Sequence, residues 1–234
     1  MQRLIIDIGK SSAKVATFEG DNLVWHVRVE HAELPALLAA KALDSTIQAA
    51  ILSSVIPLSE ELERVVATLP YPCLRMSATL KMPFRIAYET PDTLGPDRLA
   101  AVAEAWAQKP GNDLLIIDVG TAITYDIVTA DGIYRGGNIS PGISMRFKAL
   151  HHFTGKLPMV DKEGQRTEIG FSTETAIREG VLQGVCYEID GYIRAHNLKY
   201  PKLLIFLTGG HSFLLDNRTK SRTFADSLLV VKGL

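Results

Sequence analysis

Leu115-Ile116-Ile117-Asp118-Val119-Gly120-Thr121-Ala122-Ile123-Thr124-Tyr125-Asp126 is the stretch whose reading decides the fold. Its opening run of Leu and Ile predicts a buried strand. The strand ends in a carboxylate, a glycine and a hydroxyl, and a second β-rich run follows. Asp118 sits where the chain turns, and Gly120 lets backbone N–H groups approach an anion with no Cβ in the way. The N-terminus repeats the pattern as Leu4-Ile5-Ile6-Asp7-Ile8-Gly9, with Ser11 after Gly9 as Thr121 is after Gly120. Each hydroxyl leads into a β-branched run, and turns at Gly20-Asp21-Asn22 and Asp131-Gly132 then predict a hairpin in each half.

Helical and strand signals alternate after each hairpin. Residues 34–43 and 60–69 have helical spacing, with a short buried strand over 49–55 between them. In the second half, Ser172 or Thr173 caps a helix running to about Asn197, and Leu203-Leu204-Ile205-Phe206-Leu207 is a buried strand ending in Thr208-Gly209-Gly210. One pattern used twice predicts two similar α/β domains with a cleft between them. The breaker cluster Lys109-Pro110-Gly111-Asn112-Asp113 puts the boundary there, giving domains 1–112 and 113–234.

Composition narrows the function classes. A hydrophobic share of 47% and a charged share of 22% in 234 residues are ordinary for a globular chain. The net charge of −1 leaves no electrostatic footprint for nucleic acid or an anionic membrane. Lys199, Lys202, Arg218, Lys220 and Arg222 lack interleaved aromatics and read as a solvated surface. Cys73 and Cys186 have neither metal-ligand spacing nor a disulfide pattern, and the pair His151-His152 lacks a third ligand. No signal-like segment or membrane-length apolar run is visible, so a cytoplasmic protein is expected.

Two Asp-x-Gly turns facing one another suit nucleotide phosphates: backbone N–H groups hold oxygens, and carboxylates hold the cation that neutralises their charge. Neither GxxxxGK[ST] nor GxGxxG after a strand is present. The chain resembles, almost end to end, the type III pantothenate kinases, in the superfamily of sugar kinases, actin and the heat-shock ATPases. The resemblance rests on Asp7-Ile8-Gly9 with Lys14, on Tyr88 with Thr90-Pro91, on Leu94-Gly95-Pro96-Asp97-Arg98 and on the 118–126 stretch. It continues through Gly136-Gly137-Asn138-Ile139-Ser140-Pro141-Gly142, Lys156-Leu157-Pro158, Gly170-Phe171-Ser172-Thr173 with Ala176, Ile177 and Gly180, and Thr208-Gly209-Gly210. One such motif is weak evidence; the ordered set is specific.

The resemblance implies two duplicated ribonuclease-H-like domains (the actin-like ATPase fold) with an interdomain cleft. It also implies ATP-dependent phosphorylation of pantothenate to 4'-phosphopantothenate, the opening step of coenzyme A synthesis. On it, Asp97 is the proton acceptor, and Tyr88, Gly95, Pro96, Asp97, Arg98 and Thr173 contact pantothenate. Asp7, Ile8, Gly9, Lys10, Ser11, Ser12, Ala13, Lys14 and Thr121 contact ATP, while Asp118 binds a monovalent cation. ATP, Mg2+ and K+ or NH4+ are the implied cofactors, and the implied assembly is a homodimer, with no nucleic-acid or membrane partner. In the residues themselves, Asp97 reads equally as the N-cap of an alanine-rich helix, Tyr88 as a surface-strand aromatic and Thr173 as a helix cap. Asp126 suits either a water-mediated contact to magnesium or a structural pair with Lys or Arg. Gly180 and Gly184 permit close helix contact, in the core or at a subunit interface. One departure stands out: the family usually carries Asn-Thr after the first Asp-x-Gly, and this chain has Lys10-Ser11. The rival readings are a kinase of another small hydroxylated metabolite and a non-catalytic regulatory protein of the same fold.

Overall fold

The computed structural model describes residues 1–212 and 223–234, so Arg218, Lys220 and Arg222 lie outside the described residues. The chain divides into two compact units, Met1–Pro110 with Leu228–Leu234, and Gly111–Ser227. The division falls inside the breaker cluster. It differs from the sequence expectation at the C-terminus, where the last residues return to the first unit.

In the first unit, strands β1 (Gln2–Ile8), β2 (Ala13–Glu19) and β3 (Asn22–Val29) form an antiparallel meander. Helix α1 (Leu34–Ala42) then leads to β4 (Ile47–Ser54), parallel to β1, and α2 (Glu60–Ala67) leads to β5 (Cys73–Arg75), parallel to β4. The sheet order is β3-β2-β1-β4-β5. A two-residue strand β6 (Arg85–Ile86) and the helix α3 (Pro96–Gln108) complete the unit before the boundary.

The second unit repeats the plan. Strands β7 (Leu114–Val119), β8 (Ala122–Thr129) and β9 (Ile133–Pro141) form the meander, followed by α4 (Ile143–Phe153), α5 (Thr173–Lys199), β10 (Leu204–Thr208) and β11 (Thr223–Ala225). Strand β10 runs parallel to β7 and β11 parallel to β10, so these five strands take the order β9-β8-β7-β10-β11. This is the duplicated ribonuclease-H-like arrangement that the family resemblance implies, and it bears out the two similar α/β domains expected from the repeated stretch. Helix α6 (Leu229–Gly233) ends the chain.

Side-chain chemistry accounts for these elements locally. Gly20 and Gly132 take φ of +61° and +73° at the hairpin bends, where a Cβ would be strained. Ser59 accepts from the Leu62 N–H and caps α2; Ser172 accepts from the Thr175 N–H and caps α5. Strand β1 buries both faces: Leu4, Ile6 and Ile8 meet Leu34 and Leu38 of α1, while Ile5 joins Ala16, Phe18 and Val231 of α6. In the second unit, Leu115, Ile117 and Val119 of β7 pack with Val181, Val185 and Ile189 of α5. In each unit the buried strand β1 or β7 carries an aspartate, Asp7 or Asp118, as its next-to-last residue. No helix among the described residues is long and apolar enough to cross a membrane.

Candidate active site

In the first unit, strand register lines up four side chains. Asp7 on β1 is opposite Lys14 on β2 and Ser53 on β4, and Lys14 is opposite Arg28 on β3. Directly opposed residues share a sheet face, so the row reads Arg28, Lys14, Asp7, Ser53. Burial pushes the Asp7 carboxyl up to about 6; Lys14 opposes this, the nearby Asp97 carboxylate adds to it, and the Ser53 hydroxyl lowers it. Asp7 and Asp97, far apart in sequence, are therefore neighbours.

The turn after β1 spans residues 9–12 and closes with the Gly9 N–H donating to the Ser12 carbonyl at 3.0 Å. Arg28 Nε donates to Ser12 Oγ at 2.7 Å, and His31 Nε2 lies 3.0 Å from the Gly9 carbonyl oxygen. A carbonyl only accepts, so that ring nitrogen carries the proton. Lys10 and Ser11 are exposed, while Ala13 is buried at the start of β2.

Helix α3 begins beside this turn's aspartate. Its N-cap is Gly95 and its first residue Pro96, so Asp97 sits within the first turn and is not the cap. Proline suits the first position because its missing N–H has no partner to lose there. Asp97 Oδ1 accepts from the Arg98 N–H at 2.9 Å, and its charge lies favourably at the helix N-terminus. Arg98 is buried, with its guanidinium carbon 5.9 Å from the centre of the half-buried Tyr88 ring.

In the second unit, Asp118 is opposite Thr124 on β8 and Thr208 on β10. Its turn, residues 120–122, is one residue shorter than the first and closes with the Gly120 N–H on the Ala122 carbonyl. Backbone N–H groups hold the turn and the strand end before it: Gly142 donates to the Thr121 carbonyl at 3.0 Å, and His211 to the Val119 carbonyl of β7 at 3.1 Å. Gly209 has φ +99°, and a Cβ there would stand 2.4 Å from Asp118 Oδ1. The glycine therefore makes room for the carboxylate. The Thr208 hydroxyl beside them is buried and has no hydrogen-bond partner among the described residues. Thr173 is exposed and opens α5, whose cap is Ser172.

Sequence reasoning missed the polar knot under this turn. Glu188 of α5 accepts from the Tyr125 hydroxyl at 2.7 Å, from the Ser140 hydroxyl and from the Arg146 guanidinium. Burial raises the Glu188 carboxyl, yet those donors outweigh it and hold it below the usual range. Asp126, left open between magnesium and a basic partner, is buried and accepts from the Tyr134 hydroxyl at 2.7 Å. His151 Nδ1 is bound to the Leu157 carbonyl at 2.8 Å, and no group of three or more His, Cys, Asp or Glu among the described residues could hold a metal alone. Cys73 and Cys186 are not joined in a disulfide.

Comparison with known proteins bears on this geometry. A protein of Bacteroides fragilis strain YCH46 named type III pantothenate kinase is 50% identical over 231 residues, covering 99% of this chain and 95% of its own. One from Porphyromonas gingivalis strain W83 with the same name is 42% identical over 234 residues, at 99% and 95% coverage. Among solved structures, a ROK family glucokinase from Streptomyces griseus in complex with glucose and AMPPNP superposes with a TM-score of 0.58 over 100% of this chain and 97% of its own. At 10% identity, that likeness speaks for the fold alone. The family model described as type III pantothenate kinase matches residues 3–195. The chain therefore belongs to the type III pantothenate kinase family.

Proposed function

We propose that this protein transfers the γ-phosphoryl group of ATP to the primary hydroxyl of pantothenate, giving 4'-phosphopantothenate and ADP. The observation that carries the reading is the intact Gly95-Pro96-Asp97-Arg98 segment at the start of α3, with Asp97 close enough to Asp7 to raise its carboxyl.

In the step itself, the pantothenate hydroxyl oxygen bonds to the γ-phosphorus, the bond to the β,γ-bridging oxygen breaks, and the hydroxyl proton passes to Asp97. In a loose transition state that proton leaves late, so a carboxylate of ordinary basicity suffices once positioned. Arg98, buried against Tyr88, offers a planar fork for the pantothenate carboxylate. Thr173, Gly95 and Pro96 complete the acceptor contacts in this reading. The phosphates of ATP are assigned to residues 7–14, whose Lys14 offsets their charge, and to Thr121.

The donor sets suit the implied ions. The Asp118 carboxylate and the buried Thr208 hydroxyl are oxygen ligands of the kind a hard monovalent cation takes, and they would hold K+ or NH4+. The ion would supply positive charge beside the phosphates. Mg2+ keeps several waters and binds largely through substrate phosphates, which fits the lack of a dedicated carboxylate cage among the described residues. A homodimer is also part of the reading. It is supported by the open flank of α5, where a Cβ at Gly180, Gly184 or Gly191 would meet nothing within 4 Å, and by Tyr187 and Phe171 at 65% and 70% exposure. Sedimentation at twice the monomer mass checks this.

The deciding experiment is a coupled ADP-release assay with pantothenate, Mg2+ and K+. Wild type turns over, and Asp97→Asn loses about 100-fold or more while keeping its fold. Full activity in Asp97→Asn removes Asp97 from the proton-acceptor role. Turnover only with another alcohol favours the related-kinase reading, and partner binding without ATP turnover favours a regulatory one.

A further inference from the structure

The two phosphate turns are held by different means. In the second unit, backbone N–H groups hold the turn at 120–122 and the strand end before it, Gly142 on the Thr121 carbonyl and His211 on the Val119 carbonyl. The turn at 9–12 is one residue longer and receives two side chains, Arg28 on Ser12 Oγ and His31 on the Gly9 carbonyl. Both come from the outer end of β3 and the loop after it. A turn commonly fixes its own backbone through a short polar side chain such as Asn, Asp or Ser. Lys10, at the second position of this turn, cannot do so: its cation is exposed and its long stem carries no acceptor.

We infer that Arg28 and His31 are positioning residues for the first nucleotide turn, bracing from outside a loop that its own Gly9–Ser12 backbone bond closes and to which Lys10 adds no bond of its own. The inference rests on the proposed assignment of ATP phosphates to residues 7–14. Neither side chain needs to touch the nucleotide. Arg28 sets Ser12, whose carbonyl closes the turn, and His31 sets Gly9, whose N–H donates to that carbonyl. Removing both frees the loop to sample other shapes, and the ordering cost then falls on nucleotide binding. At saturating ATP the cost has already been met, so the chemical step is spared.

The test is calorimetric titration with Mg·ATP alongside steady-state kinetics. The double variant Arg28→Ala/His31→Ala is expected to weaken ATP binding about tenfold, since two hydrogen bonds are lost from an open site. KM for ATP should rise by the same factor, with kcat and KM for pantothenate changed less than about twofold. Two rescues separate positioning from general structure. Arg28→Gln/His31→Gln keeps a donor at each place and should recover most of the affinity. Lys10→Asn, added to the double alanine variant, restores a side chain that can bind its own turn and should recover it as well. Unchanged ATP affinity in the double alanine variant overturns the inference. So does a loss of kcat with a lowered melting temperature that neither rescue repairs, because that is damage to β3. Because ATP affinity is read directly, wild type that binds ATP without phosphorylating pantothenate refutes the proposed reaction and leaves this inference standing. Wild type that binds no ATP overturns both.

Discussion

Asp7 carries its cost in the folded protein. Burial holds its carboxyl at about 6, against an ordinary value of 3.8. Between those two values the native state retains a proton that the unfolded chain has released, so stability contributed by this group falls as pH rises through the window. Asp7→Asn keeps the shape and removes the charge. At pH 7 it is expected to stabilise the fold by about 1–2 kcal/mol, after discounting for the solvent that reaches this half-buried site. Near pH 4 wild type is already neutral there, and the gain should vanish. Thermal denaturation of both proteins at the two pH values checks this; equal gains at both would show that the carboxyl is not raised. The same variant should lose ATP turnover, the usual trade between a strained functional group and stability. Asp7 was legible in the sequence because a second Asp-x-Gly stretch echoes it. Its nearness to Asp97 was not, since proximity across 97 − 7 = 90 positions is set by packing and leaves no local signal.

At the scale of elements, periodicity and turn residues placed the hairpin bends, α1, α2, β4 and β10 to within about two residues, since each depends on local chemistry such as Ser59 or Gly20. The start of α3 shows where that logic slips. Asp97 satisfies the cap preference, yet Pro96 is suited to the first helical position and places the cap at Gly95. The polar knot on Glu188 was out of reach, because its partners Tyr125, Ser140 and Arg146 lie 63, 48 and 42 residues away. Register explains another part of the glycine-rich motif. Gly137 is opposite Asp126, and a Cβ there would stand 1.8 Å from the Tyr125 carbonyl oxygen. That atom is backbone in the middle of β8, so it cannot step aside as a side-chain end could. Gly137→Ala is expected to cost about 3 kcal/mol or more by forcing β9 off β8. Chemical denaturation measures the cost; a change below about 1 kcal/mol would mean that the two strands separate easily here.

At the scale of the whole chain, the duplication was readable because both halves spell the same order of strand, turn, hairpin and helix. The destination of the C-terminus was not, because chain order assigns a last segment to the domain before it. Packing overrides that order: Leu229, Val230 and Val231 are all buried, and α6 lies against α3 and β1 of the first unit. The contact with α3 is intimate, since a Cβ on Gly233 would stand 1.9 Å from the Ala100 carbonyl oxygen. Helix α3 carries Asp97 and Arg98 at its first turn, so the end of the chain braces the helix that holds the proposed proton acceptor. Val231 is the sharpest probe, because it packs with Ile5, Ala16 and Phe18 on the sheet face away from α1. Val231→Ala removes two buried methyl groups and leaves a small cavity, at a cost of about 2–3 kcal/mol. Hydrogen exchange should show that cost locally, with faster exchange at the amides of β1, β2 and α3 and unchanged protection in β7 and β10. Equal loss of protection in both units would mean that the last helix stabilises the chain as a single cooperative body, and its bracing of α3 would then not be specific.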